Sequence, residues 1–233
     1  MDRIRKGYES RFRALLQQAN ARLLEAGVRW LIAKAHCLSE RDGISLATAL
    51  TEIYERLASQ PYFRKSNLRS APTLFFCDAG LGGLSRWLRA AGHDALWRAD
   101  IDDDDLLREA REKSATILTT DSMLMERRLL RDGVIAALWL PPTLRIRQQL
   151  NLVFREFGLK VGEPRCMACG GELVTQDKEA IRERIPPKTY RWLDEYFACS
   201  RCGKLFWRGT HWERISKQLH AARTAAKSPH FAH

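Results

Sequence analysis

Two Cys-x-x-Cys pairs, Cys166-Met167-Ala168-Cys169 and Cys199-Ser200-Arg201-Cys202, give the chain four thiolates at the spacing of two tight turns. Four thiolates are the tetrahedral complement of a closed structural Zn2+ site, which leaves no open position for water. Gly170-Gly171 and Gly203 follow the pairs, where such a knuckle needs residues that accept positive φ. Two disulfides or a redox dithiol are the competing readings, and the doubled motif with matching glycines favours zinc. His211, downstream of Cys202, is a ligand type as well, read here as a packing or partner-contact residue. The second chemical feature is acidic: Asp78, the run Asp102-Asp103-Asp104-Asp105, and Asp121. Carboxylates gathered in one place repel one another, and a hard divalent cation such as Mg2+ or Mn2+ resolves the repulsion through oxygen ligands. A site of that kind can activate water and stabilise in-line phosphoryl displacement. Taken singly, each Asp reads equally as a helix cap or a partner for a helix dipole.

The elements that would position these acids follow from periodicity. Thr73 to Cys77 is a short apolar run ending in Asp78, the pattern of a buried strand, and Gly80, Gly82 and Gly83 supply the turn. Helices are predicted over 84–91, 102–113, 122–131 and 143–157, alternating with strands over 93–98, 115–119 and 134–140. Strands alternating with helices at this spacing imply an α/β domain on a parallel sheet. Parallel sheets place their sites at the carboxyl ends of the strands, so Asp78, Asp121 and the start of the acidic helix are expected on one rim. Upstream, helices are predicted over 8–26, with Gly27 as its stop, and over 45–59, with Ser45 as its N-cap. The apolar stretch 28–38 reads as packed inside, with His36 a core histidine, and Cys37 and Cys77 read as reduced core thiols. A linker is expected at about 61–72, between Pro61 and Pro72.

The net charge is +11 and it is unevenly distributed. Residues 1–70 hold 13 Lys/Arg against 7 Asp/Glu, residues 71–158 hold 12 against 13, and residues 159–233 hold 14 against 8. Two basic segments flanking a near-neutral middle with an acidic cluster suit a polyanionic partner such as RNA. No apolar run approaches the ~20 residues of a membrane-spanning helix, which argues against a membrane partner. The N-terminus MDRIRKGYESRFR lacks an apolar signal core, and with reduced thiols this points to a cytoplasmic protein.

The segments FFCDAGLGGLSRWLRAAGHDA, DDDDLLREA and ILTTD resemble the PIN-like ribonuclease domain of the Mut-seven C-terminal family. RCMACGGELV and FACSRCGKLFWRGTHWERI resemble the zinc ribbon that follows it in that family. The similarity spans about residues 73–216. It implies a PIN-like parallel-sheet domain with helices on both faces over 73–160 and a four-cysteine ribbon over 161–216. These are preceded by a helical accessory region and linker, 1–72, and followed by a basic tail, 217–233, whose last residues are expected to be disordered. It also implies a metal-dependent ribonuclease. Asp78 matches the aspartate ending the first strand, Asp121 the aspartate of the Thr-x-Asp type motif, and Asp103 the acid on the intervening helix. Asp105 matches a second acidic position there. No residue matches the glutamate that many PIN domains carry on a further helix. Asp78, Asp103 and Asp121 are then the Mg2+ or Mn2+ ligands, and Thr119, Thr120 or Ser122 are candidates to orient water or phosphate.

Candidate RNA contacts are Arg86 and Arg89 on the helix after Asp78, which read equally as partners for neighbouring acids. In the ribbon they are Lys188, Arg191, Trp207, Arg208 and His211, basic residues mixed with aromatics as single-stranded nucleic acid requires. Those aromatics, Phe197 and Phe206 foremost, are also what a small ribbon needs for a core. Two alternatives stay open: an RNA-binding protein that does not cleave, and a toxin-like or ribosome-associated endonuclease whose N-terminal helices dock a protein partner.

Overall fold

The computed structural model describes residues 2–60 and 71–227, with side chains over 4–60 and 71–221. Most of the expected linker and the last residues of the tail lie outside the described residues. In chain order the elements are α1 (Asp2–Gln18), α2 (Leu24–Asp42), α3 (Leu46–Ala58), β1 (Phe75–Cys77), α4 (Gly82–Ala90), β2 (Ala95–Trp97) and α5 (Asp103–Glu112). There follow β3 (Thr116–Thr119), α6 (Arg128–Arg131), β4 (Ala137–Trp139), α7 (Ile146–Phe157), β5 (Leu173–Gln176), α8 (Pro187–Trp192), β6 (Tyr196–Cys199), β7 (Leu205–Trp207) and α9 (Thr210–Lys227).

The strands β2-β1-β3-β4 form one parallel sheet in that order, and β5-β6-β7 form an antiparallel one. The central strand β1 is buried on both sides. Its alternating side chains sort the core: Phe75 and Cys77 pack with Leu84 and Leu88 of α4 and with α7, whereas Phe76 packs with Leu106, Leu107 and Ala110 of α5. Helices therefore cover both faces, as expected of a parallel sheet. The last helix, α9, returns to pack on α7 and sends Leu219 into the first of these cores.

Three predicted elements differ. The helix expected over 8–26 breaks after α1, where Asn20 takes φ 52° and the Ala21 N–H donates to the Leu16 carbonyl at 3.0 Å. Asparagine tolerates this left-handed conformation, which closes a helix. Gly27 is no stop: it lies inside α2 because α1 passes close by, and a Cβ there would meet Leu16 Cδ1 at 2.9 Å. The segment 28–38 is amphipathic rather than enclosed. It buries Val28, Leu31, Ile32 and Ala35 and leaves Trp30, His36 and Cys37 exposed, so His36 and Cys37 are not core residues. The helix predicted over 122–131 is replaced by a 3-10 turn at Leu124–Glu126 and the short α6, because Arg127 is extended at φ −59°, ψ 134°.

The N-terminal helices pack on the sheet rather than standing apart. Trp139 of β4 meets Tyr8 and Tyr54 edge-on, with ring centroids 5.3 and 5.1 Å apart. Tyr8 Oη and Thr51 Oγ1 lie 2.6 Å apart in hydrogen bond, and Thr51 in turn bonds Thr143.

His93, between α4 and β2, lies edge-on to Phe75 and Phe154, and its Nε2 is 2.9 Å from the Lys160 carbonyl. Burial lowers its pKa below the ordinary 6.5. The unfolded chain therefore binds the proton more readily, and stability falls as pH drops below about 6.5 toward the folded value. Urea midpoints measured across that interval are expected to fall in the parent protein, with that component absent in His93→Gln.

Candidate active site and metal centre

Asp78 follows β1 directly and Asp121 follows β3 by two residues, so the two acids leave adjacent strands at the same carboxyl edge. The Asp78 N–H donates to the Leu118 carbonyl at 3.0 Å, which carries the β1–β3 ladder one residue past the strand. Its carboxylate is held from three sides. Oδ1 accepts from the Gly80 N–H at 3.1 Å, and Oδ2 accepts from the Thr120 N–H at 3.1 Å and from the Thr119 hydroxyl. Thr119 is fully buried, and its Oγ1 also accepts the Asp121 N–H at 2.9 Å. Its hydroxyl thus fastens one acid to the backbone of the other and is not directed at water or substrate. Asp121 Oδ1 accepts the Met123 N–H at 2.7 Å, the Asx turn that displaces the predicted helix. Burial raises the Asp78 pKa above its ordinary value, and the nearby Asp121 charge raises it further, against the three hydrogen bonds that lower it.

The acidic run divides its tasks. Asp102 is the N-cap of α5, its Oδ1 accepting the Asp105 N–H at 2.7 Å. Asp104 pairs with Arg127 and Asp105 with Arg108. The Asp103 side chain is exposed and makes no hydrogen bond or ion pair among the described residues. The Asp104–Arg127 pair ties the start of α5 to the segment that follows Asp121. Trp139 was not legible as a site residue: its indole N–H donates to the Thr120 carbonyl at 3.1 Å. Nothing in the local sequence marks it, because the contact spans two strands.

The four cysteines converge, with their sulfurs all within 4.8 Å of one another. Cys166 Sγ and Cys202 Sγ are 3.7 Å apart, and Cys169 Sγ and Cys199 Sγ 3.4 Å. Cys166 takes the Gly170 N–H on its carbonyl at 2.7 Å, and Cys199 takes the Gly203 N–H at 2.9 Å, the same turn in both knuckles. Gly170 and Gly203 have φ 81° and 67° as expected, and Gly171 lies so close to the second knuckle that a Cβ would meet Cys199 Sγ at 2.6 Å. Burial raises the Cys166 and Cys169 thiols; it acts the same way on Cys199, but the N–H groups of Cys202 and Arg201 and the neighbouring cysteine thiols together outweigh it and bring that thiol down to about 6. Four clustered sulfurs, unlinked and with N–H donors aimed at one of them, fit a structural zinc ion. Among the described residues this is the one group of three or more potential ligands so gathered.

Of the expected RNA contacts, Arg89 is displaced from that role. It is 4% exposed, with Nε donating to the Ala95 carbonyl at 2.7 Å and Nη1 to the carbonyls of Met167 and Ala168 at 3.1 and 2.8 Å. A guanidinium fits here because it can satisfy several carbonyls at once in a buried pocket. Trp207 is half-buried and packs against the ribbon's own core of Ile181, Ile185 and Tyr196. Arg208 pairs with Glu195 at 3.0 Å and lies over Phe197 and Trp212, which stack on each other. Arg86, Lys188, Arg191 and His211 are exposed, and the first three make no ion pair among the described residues.

The chain thus joins a parallel α/β domain, with Asp78 and Asp121 at its central strand ends, to a four-cysteine ribbon that fits a structural zinc ion. Residues 73–219 match the Mut7-C RNAse domain, so the chain belongs to this ribonuclease family. No curated protein and no solved structure matches the chain. No helix of the described residues is long and apolar enough to cross a membrane.

Arg89 is the direct link between α4 and the first knuckle. Arg89→Met leaves the Met167 and Ala168 carbonyls without their donor, at about 3 kcal/mol in total. The expected result is a melting temperature lower by roughly 10 °C, with faster release of zinc to a colorimetric chelator.

Proposed function

We propose that the chain is a metal-dependent ribonuclease that hydrolyses RNA phosphodiester bonds at Asp78 and Asp121. Asp103 completes the acidic set, and the zinc ribbon holds RNA. The observation carrying this reading is the pairing of Asp78 and Asp121 at the carboxyl ends of adjacent parallel strands, with both acids fastened to the Thr119 hydroxyl. Acids that repel and yet are kept together fit a hard divalent cation, Mg2+ or Mn2+. When bound, such a cation supplies positive charge against the phosphate and makes the attacking water more acidic.

The chain's own residues do the positioning. Gly80, Thr119 and Thr120 keep the Asp78 carboxylate from rotating, and Met123 does so for Asp121. Asp103 has no side-chain partner to release among the described residues, whereas Asp105 joins only by leaving Arg108. Arg86, exposed on α4 just beyond the turn that follows Asp78, is suited to a substrate phosphate. In the ribbon, α8 presents Lys188, Arg191 and Trp192 to solvent, and Trp192 is 77% exposed. Two cations beside an open aromatic face suit single-stranded RNA by phosphate contact and stacking.

The test is cleavage of a panel of structured and single-stranded RNAs in Mg2+, Mn2+ or EDTA. Asp78→Asn and Asp121→Asn are each expected to lose about a hundredfold or more in kcat with the fold retained by circular dichroism. Undiminished cleavage by either variant removes that residue from the chemistry. RNA binding without cleavage in any metal points instead to a non-cleaving RNA-binding protein. Separately, Lys188→Ala/Arg191→Ala is expected to weaken RNA binding and to lower the salt slope of binding by about 1.4, roughly 0.7 for each lost phosphate contact on a single strand. Zinc content should not change.

A further inference from the structure

The segment Thr120–Glu126, which carries Asp121, has little regular structure of its own. It contains one 3-10 turn and is followed by the extended Arg127. It is braced along its length by the first helix. At its start, the Thr120 carbonyl accepts the Trp139 indole N–H at 3.1 Å, and Tyr8 of α1 lies edge-on against that indole. In its middle, Gly7 of α1 packs against Ser122: a Cβ on Gly7 would fall 2.5 Å from Ser122 Oγ and 3.1 Å from its Cβ. At its end, the Glu126 carboxylate accepts from the Ser10 hydroxyl and from Arg11 Nη2, the latter at 3.2 Å. Gly7, Ser10 and Arg11 of α1 thus reach the middle and end of one loop, and Tyr8 backs its beginning through Trp139. None of these α1 residues lies within residues 73–219 that match the family.

We infer that α1 is part of the cleavage site, with Gly7, Tyr8, Ser10 and Arg11 as positioning residues that set where Asp121 stands relative to Asp78. The inference rests on Asp121 acting in catalysis as proposed above. The Asp78 carboxylate is held chiefly from outside that segment, by Gly80 and the buried Thr119, with Thr120 at the segment's first position adding one N–H. Asp121 has its N–H on Thr119, and its Oδ1 accepts the N–H of Met123, a residue of the braced segment itself. A displacement of about 1 Å at a reacting group is enough to cost on the order of a hundredfold in rate. Gly7 is the most telling position, because a glycine inside a helix lowers helix stability relative to alanine. Its presence in α1 coincides with the closest approach to Ser122.

The experiment compares full-length protein, Gly7→Ala, Ser122→Gly and the double variant, reading kcat and KM on a single-stranded RNA together with melting temperature. Gly7→Ala is expected to lower kcat about tenfold, with KM within about twofold and a melting temperature no lower than the parent's. Adding Ser122→Gly removes the collision, and kcat should return to within about threefold of Ser122→Gly alone. A kcat within about twofold of the parent in Gly7→Ala overturns the inference while leaving the nuclease reading intact. So does a loss that Ser122→Gly fails to restore. If the parent protein cleaves no RNA, the nuclease reading is what has failed, and amide exchange of residues 120–126 in the same four proteins decides the bracing. Faster exchange confined to that segment in Gly7→Ala, reversed in the double variant, supports it; unchanged exchange overturns it.

Discussion

Asp78 is where the central strand of a sheet buried on both faces has to reach solvent, and the local structure is organised by that requirement. Its N–H completes the ladder to β3, its carboxylate caps the turn leading into α4, and the same carboxylate collects the Thr119 hydroxyl and the Thr120 N–H. A carboxylate so deeply placed pays for desolvation, and the raised pKa of Asp78 is the sign that its hydrogen bonds do not fully compensate. Such a group is destabilising for the fold taken alone. A second acid, Asp121, stands at the end of the adjacent strand, and its charge adds to that cost.

A second buried ionisable group joins the α/β domain to the ribbon. Arg89 leaves α4 on the side away from solvent and reaches backbone carbonyls at Ala95, Met167 and Ala168. A buried guanidinium is tolerable when its donors are satisfied, and carbonyl oxygens do this without introducing a competing acid. The backbone reinforces the join. The N–H groups of Gly162 and Arg165 donate to the carbonyls of Ala91 and Arg89, each at 2.9 Å. Gly92, at φ 92°, admits the strap because a Cβ there would meet the Glu163 carbonyl at 2.7 Å. The ribbon is therefore seated on the α/β domain through α4, the helix that begins just past Asp78.

The N-terminal helices solve a different problem. β4 is an edge strand, and its Trp139 would present a large apolar ring to water. Tyr8, Phe12 and Tyr54 enclose it, which buries the ring and brings α1 across the loop between β3 and α6. Covering an apolar edge and holding an acidic loop are consequences of one packing arrangement.

Sequence alone determined the alternation of strands and helices, the acids at the ends of the first and third strands, and the two-knuckle ribbon. Each of these is written in local periodicity or in fixed short spacing, and both survive any detail of packing. The partners of individual side chains were decided only by tertiary structure. Four consecutive aspartates are indistinguishable in sequence, yet Asp102 caps, Asp104 and Asp105 pair with arginines, and Asp103 alone has no such partner among the described residues, because a helix points successive side chains in different directions. Arg86 and Arg89 sit three residues apart on one short helix, yet one faces solvent and the other is buried against the first knuckle. His36 and Cys37 lie in an apolar run and are exposed, since only one face of α2 has anything to pack against. The contact of Gly7 with Ser122 and of Trp139 with Thr120 joins residues far apart in the chain, and no local pattern encodes it; it exists because the edge of a sheet had to be covered.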